Sequence, residues 1–314
     1  MALRYDTITF LSDYGLVDEF VGLVHSVIRS ITPEATIIDL THNVPAYDVR
    51  AGGLTLARSV PYLCPGIVLA VVDPGVGTER RSIAVDVGDG QSILVGPDNG
   101  LLAPAVAMCG GATRAVALEN PEYQLPAPGA TFAGRDIFGP AAAHLCAGVP
   151  LDELGPPIDP ALLLPGVLPV SHFDGPDLMA QVLWIDSYGN AQINIDPEEI
   201  DGWGDRVRLQ FNDRWHTAHV VDTFRAVGPG EIGLVVDSYG LLAIAVDQQS
   251  AAQQLGLDSA TSVRIAKFAD GQEGDKPEGV TTAVELSPRK NGGTPAPPAP
   301  EPAGPEPTNA EEGQ

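Results

Sequence analysis

The chain has 314 residues, 44% of them hydrophobic, and carries 17 Lys and Arg against 41 Asp and Glu for a net charge of −24. That length accommodates two domains with sizeable cores, and the acidic balance argues against nucleic-acid and anionic-membrane partners, which need a basic face. No apolar run approaches the ~20 residues of a membrane span, no signal-like stretch opens the chain, and Cys64, Cys109 and Cys146 form no close pair for a disulfide or a thiolate zinc site.

A cytoplasmic protein is therefore expected. In chain order, 8–13 reads as a strand ending in an Asp13-Tyr14-Gly15 turn. Asp18 opens a predicted helix whose apolar residues, Phe20, Val21, Val24, Val27, Ile28 and Ile31, share one face at the 3.6-residue period. Strand 36–40, helix 48–62 and strand 67–73 follow, then strands 82–87 and 92–95 between glycine-bearing turns, then a helix over 137–147. Such alternation predicts an α/β domain over 1–149, built on a mostly parallel sheet covered on both faces.

Residues 150–178 are rich in proline and lack periodicity, which predicts a connector laid over a surface. The runs 180–185, 191–195, 206–211, 216–221, 232–236 and 241–246 have turns but no helices between them. They predict an all-β, antiparallel barrel-like domain over 179–268. The stretch 269–314 carries nine of the 29 prolines, with nine acids against three bases, and reads as a disordered acidic tail.

The most informative segment is 71–81, VVDPGVGTERR. A strand ends in Asp73, where ligands sit in parallel sheets, and a Gly75-x-Gly77 turn leads to Arg80. Asp13, Asp18 and Asp39 similarly follow strands. A bare turn is the competing interpretation, since Asp, Pro and Gly favour turns for backbone reasons. The glycine pair is no dinucleotide fingerprint: a third glycine is missing and a strand follows, not a helix. It also lacks the Lys of a phosphate loop. His216 and His219 lie three apart on a predicted strand, so they face opposite sides; no metal site is expected. Asp186-Ser-Tyr-Gly-Asn190 and Asp237-Ser-Tyr-Gly240 read locally as hairpin turns.

Taken together, segments 11–15 with Asp18, 71–80, 96–102, 131–138, 186–190 and 237–240 resemble the S-adenosylmethionine hydroxide adenosyltransferase family, relatives of the fluorinases and chlorinases. They occur in the family's order over about residues 6–268. The resemblance implies a trimer with substrate sites between subunits, no cofactor, and attack of water on C5′ of S-adenosylmethionine to give adenosine and methionine. It implies that Asp73 and Arg80 are the first two members of an Asp-Arg-His triad. It further implies that Asp13 holds the ribose diol and Asn190 reads adenine. Asp18, Asp186, Ser238 and Tyr239 would lie around the methionine part, and Tyr47 would pack near the ligand.

The chain departs from the family at the third triad position, where Thr131-Phe132-Ala133-Gly134-Arg135-Asp136 carries Ala133 in place of histidine. The next histidine, His144, is eleven residues on, in a predicted helix. Impaired hydrolysis is expected, and an alanine within an otherwise intact motif fits deliberate removal better than drift. Two other readings stand beside it. One is a non-catalytic binder or sensor of S-adenosylmethionine or adenosine. The other is a halide-using enzyme of the same family, disfavoured because the Asp73 carboxylate would repel a halide.

Overall fold

A computed structural model of the chain describes residues 4–268; the predicted acidic tail lies outside them. The N-terminal part holds strands β1 (Thr7–Ser12), β2 (Thr36–Thr41), β3 (Ile67–Val71), β4 (Ser82–Val87), β5 (Ser92–Pro97), β6 (Ala112–Ala117) and β7 (Pro157–Ile158). They form one sheet in the order β2-β1-β3-β5-β4-β6-β7. The pairs β1–β2, β1–β3 and β3–β5 are parallel, whereas β4 runs against both β5 and β6, and β7 against β6. All strands except β4 and β7 thus point the same way, and the parallel core β2-β1-β3-β5 carries the strand ends that bear the acids.

Helices α1 (Phe20–Ile31) and α4 (Gly139–Cys146) cover one face of the sheet, and α2 (Val49–Ser59) and α3 (Ala103–Met108) the other. The 3.6-residue stripe of α1 is buried through Val21, Val24 and Ile28. Its start is two residues later than predicted: Asp18 is exposed, and Glu19 takes the cap position without a side-chain hydrogen bond. Asp48 does cap α2, its carboxylate accepting the Ala51 N–H at 2.8 Å. The predicted helix over 137–147 is preceded by a π-helical turn, Gly134–Phe138, which hands directly to α4.

Close backbone approach fixes the spacing beside the site. A Cβ on Gly96 would stand 2.3 Å from the Ala70 carbonyl oxygen, where β5 passes β3. Gly96→Ala is expected to cost about 2 kcal/mol and to lower the thermal midpoint by several degrees, read by circular dichroism. An unchanged midpoint would show that the β3–β5 spacing is not set there.

The connector is more ordered than its composition suggests. Leu151 and Leu154 are buried, β7 adds an edge strand to the sheet, and the connector's end already belongs to β8 (His172–Asp174) and β9 (Asp177–Ile185). The remaining strands are β10 (Ala191–Ile193), β11 (Arg206–Phe211), β12 (Arg214–Val221), β13 (Ile232–Val236), β14 (Leu242–Val246) and β15 (Ser262–Lys267), with a short helix α5 (Ala251–Leu255) before β15. The order β10-β14-β13-β12-β11-β15-β9 is closed by pairing of β9 with β10, so these seven strands form a barrel. One correction applies to the antiparallel expectation: β12 and β13 are parallel. Ten residues, 222–231, carry the chain across between them, a longer return than a hairpin needs.

Two half-buried histidines are expected to give this fold a pH dependence. His144 meets the Tyr123 ring edge-on at 5.0 Å, and His216 stacks on Phe211 at 4.4 Å. Burial lowers both pKa values, with Arg214 adding to the effect at His216. The unfolded chain therefore takes up protons that the folded chain resists, starting near the ordinary histidine value of ~6.5. Stability is fully present above that value and is expected to fall as pH drops from about 7 toward 5. Urea midpoints of His144→Gln and His216→Gln variants should show a flatter profile; an unchanged slope in both would remove these residues as the cause. Among the described residues no helix is long and apolar enough to cross a membrane.

Candidate active site

The turn after β3 shows what the Gly-x-Gly spacing is for. The Val76 N–H donates to the Asp73 carbonyl at 3.2 Å, and the Thr78 N–H and hydroxyl donate to the Gly75 carbonyl at 3.2 and 2.6 Å. Gly77 takes a φ of +78°, which favours glycine. These turns fold the chain back so that Arg80 lies over Asp73. Arg80 Nε sits 2.9 Å from both Asp73 carboxylate oxygens, and Nη2 also pairs with Oδ2. Nη1 donates to the Ser82 hydroxyl at 2.5 Å, and the guanidinium packs over the Phe138 ring at 5.1 Å. The two side chains are 5% and 13% exposed, so the pair is largely withdrawn from water. Leaving either charge there unpaired is costly.

Asp13 follows β1 and faces the same space. Its Oδ2 accepts the Tyr47 N–H at 2.9 Å, with Tyr47 held at a φ of +66°. Asp13, Tyr47, Asp73 and Ala133 line one cavity of about 740 Å³. Tyr14, Phe20 and Phe132 give it an aromatic wall, their ring centroids 5.2 to 5.8 Å apart. Tyr14 and Phe132 were not singled out from the sequence, although they adjoin Asp13 and Ala133, two residues that were. Burial, and then the carboxylates of Asp13 and Asp73, push the Tyr14 pKa far up, so its hydroxyl stays protonated. Tyr14 also packs tightly on Gly134: a Cβ there would lie 2.2 Å from the phenol oxygen.

Ala133 lies at the start of the π-helical turn and is 6% exposed. It borders a second cavity of about 580 Å³, lined also by Thr78, Arg80 and Asp136. A side chain longer than methyl at this position would stand between the two spaces, beside the Asp73–Arg80 pair. Asp18 does not reach the first cavity; it lies exposed on the loop before α1.

The barrel residues form a different cavity, of about 1010 Å³, lined by Trp184, Asp186, Asn190, Gln192, Asp237 and Ser238 among others. The two Asp-Ser-Tyr-Gly segments are the same turn built twice. Asp186 Oδ1 accepts the N–H of Tyr188 and of Asn190 at 2.9 and 2.8 Å, and its Oδ2 accepts the Asn190 side-chain amide at 2.8 Å. Asp237 Oδ1 accepts the N–H of Tyr239 and of Leu241 at 2.8 and 3.2 Å, and its Oδ2 takes Gln192 Nε2 at 2.5 Å. Both carboxylates are thus engaged in holding their turns. Tyr239 stands beside this cavity, edge-on to Trp184 at 6.1 Å.

Arg58 of α2 joins the two parts of the chain, its guanidinium 4.2 Å above Trp184 and 5.7 Å from Tyr239. Within one chain, then, the sequence-predicted residues fall into two groups. Asp13, Tyr47, Asp73, Arg80 and Ala133 gather around the sheet, whereas Asp186, Asn190 and Ser238 open into the barrel cavity, and no residue lines both the 740 Å³ and 1010 Å³ spaces.

Comparison with known proteins covers both parts of the chain. Residues 8–155 match the SAM hydroxide adenosyltransferase N-terminal domain, and residues 180–264 the corresponding C-terminal domain. A relative from Salinispora tropica named (R)-S-adenosyl-L-methionine hydrolase is 43% identical, covering 82% of this chain and 97% of its own. One of the same name from Thermus thermophilus is 39% identical over 82% and 98%. A fluorinase from Nocardia brasiliensis is 28% identical over 83% and 97%. The crystal structure of an uncharacterized conserved protein from Thermotoga maritima superposes with a TM-score of 0.77 at 33% identity, covering 82% of this chain and 99% of that one. With both domains matched and relatives this similar along nearly their whole length, the chain belongs to the S-adenosylmethionine hydroxide adenosyltransferase family.

Proposed function

We propose that this protein hydrolyses S-adenosyl-L-methionine to adenosine and L-methionine, at a rate reduced by Ala133. The observation that carries the reading is the buried Asp73–Arg80 pair at the end of β3, in a chain whose hydrolase relatives match it over both domains. A sulfonium leaves as a neutral thioether, so departure needs no general acid. The difficulty is the nucleophile, because bulk water has a pKa of about 15.7. A water held by the Asp73 carboxylate attacks C5′, its oxygen bonding to carbon as the C5′–S bond breaks and its electron pair passes to sulfur. The proton leaves toward Asp73, and Arg80 fixes the carboxylate and offsets the charge developing on the water oxygen.

Asp13 fits the ribose hydroxyls, since its Oδ1 is not used by the Tyr47 contact, and the aromatic wall suits the rest of the nucleoside. Asn190, Asp186 and Ser238 supply the polar edge for adenine and for the methionine part. These lie in a separate cavity of the same chain, which supports assembly of each complete site between neighbouring copies in a homotrimer. Adenosine and methionine form without any cofactor. A cytoplasmic setting suits the three free cysteines.

The test is a long incubation of the purified protein with S-adenosylmethionine, with products resolved by chromatography. Adenosine and methionine should appear in equal amounts, and Asp73→Asn, which keeps the side-chain shape, should reduce their release by ~10²-fold or more. Release unaffected by that change would remove Asp73 from the reaction. Tight ligand binding with no turnover, even after long incubation, would favour a sensor. Ala133 beside an intact Asp73–Arg80 pair is the observation that recommends that second reading.

A further inference from the structure

Behind the loop that carries Asp13 lies a cluster that the hydrolase reading does not use. His25 on α1, Asp39 on β2 and His42 just beyond β2 bring one ligand atom each to within 4.8 Å of one another. Of the three, only Asp39 stands out in the sequence, as an acid at a strand end; the spacing 25, 39, 42 matches no metal motif, and the two elements meet only in the fold. We propose that these three residues bind a first-row divalent cation of the zinc type, with water completing the coordination.

The geometry converges on one point. His25 Nε2 and His42 Nε2 lie 2.8 and 3.0 Å from the same oxygen, Oδ1 of Asp39. The His42 side chain is 2% exposed, and its Nε2, although so near Asp39, makes no hydrogen bond of acceptable geometry. A buried ring nitrogen in that condition is costly unless another partner takes it. Its other nitrogen, Nδ1, is 2.7 Å from the Ser12 hydroxyl, which also accepts the Tyr14 N–H at 3.3 Å. In the tautomer that donates Nδ1–H to Ser12, the Nε2 lone pair is available to a cation held between Asp39 and His25. A ligating histidine is usually oriented in this way through its second nitrogen. Without a cation, the other tautomer turns Nε2–H toward Asp39. Phe10 supplies an apolar wall, its ring 4.6 Å from that of His42 and 6.1 Å from that of His25.

Two imidazoles and one carboxylate suit zinc and its neighbours, whereas magnesium and calcium call for six or more oxygens. Ligand atoms around tetrahedral zinc stand roughly 3.3 Å apart. Insertion of the ion therefore needs each histidine nitrogen to part from the Asp39 oxygen by a few tenths of an ångström. His25 and Asp39 are 30% and 42% exposed, so they have room to do so and leave an entry path. The bound ion would brace the active-site loop, because the Gly15 N–H donates to the His42 carbonyl at 2.7 Å and Ser12 immediately precedes Asp13.

The experiment titrates the chelator-stripped full chain with zinc sulfate against a chromogenic zinc chelator, followed by X-ray absorption on the singly loaded protein. One tight zinc per chain is expected, with nitrogen and oxygen scatterers. His25→Gln and Asp39→Asn should each weaken binding by at least ~10-fold while circular dichroism shows the fold intact; His172→Gln, at an exposed histidine on β8, should leave it unchanged. No zinc retained, equal affinity in the two cluster variants, or sulfur scatterers from a cysteine would each overturn the proposal. None of these readouts depends on turnover of S-adenosylmethionine.

Discussion

Ala133→His is expected to raise the release of adenosine and methionine by ~10²–10⁴-fold, the usual contribution of a positioned acid or base group. The physical reason lies in the Asp73–Arg80 pair. Arg80 contacts both carboxylate oxygens of Asp73, which fixes the carboxylate but also weakens it as a proton acceptor and leaves one side of the attacking water unheld. An imidazole at 133 would enter the space between the cavities of about 740 and 580 Å³ that now meet beside this alanine, and would hold that side. The rate should acquire an acid limb near the ordinary histidine pKa of ~6.5, because only the neutral ring accepts a hydrogen bond from water. Tyr14 adds no basic limb, since burial keeps its hydroxyl protonated. The measurement is product release against pH for both proteins. Equal rates with ligand binding intact would show that Ala133 does not occupy a catalytic position.

Much of this site was legible in the sequence because of one rule: acids at the carboxyl ends of parallel strands stand where ligands bind. That rule singles out Asp13, Asp18, Asp39 and Asp73, and the structure sets two of them, Asp13 and Asp73, in one cavity. The Gly75-x-Gly77 spacing was legible only as a turn, and a turn is what it is; its purpose, returning Arg80 onto Asp73, depends on hydrogen bonds that no spacing displays. Elements with weak local signals were missed. Strand β6, Ala112–Ala117, is half alanine and has little β preference of its own, and α3 is only six residues long. The parallel pairing of β12 with β13 could not be read either, because a run of apolar residues says nothing of which neighbour it joins. The same limit hid His25, Asp39 and His42, whose association depends on α1 packing beside β2. Asp18, which the motif singles out, lies exposed on the loop before α1 and does not line the cavity of Asp13 and Asp73 within one chain.

Two inactive variants are expected to restore one another when produced in the same cell. Asp73→Asn damages the group around the sheet and Asn190→Ala the barrel cavity, and in one chain these groups line separate spaces. If each complete site takes its sheet half from one copy and its barrel half from the next, a mixed trimer contains some sites in which both halves are undamaged. Random mixing in equal amounts makes such a site require one particular variant at each of two positions, so about a quarter of all sites should be intact. In the Ala133→His background, where turnover is easiest to follow, the mixture should show roughly a quarter of the undamaged activity while each variant alone shows ~1% or less. A site contained within one chain predicts a different result, because every copy then carries one damaged half and mixing restores nothing. A single trimeric species in sedimentation together with the quarter-activity mixture would assign both the oligomer and the route by which the two cavities become one site. Activity no greater than that of the separate variants, in trimers shown by mass spectrometry to contain both chains, would place both halves of each site within a single chain.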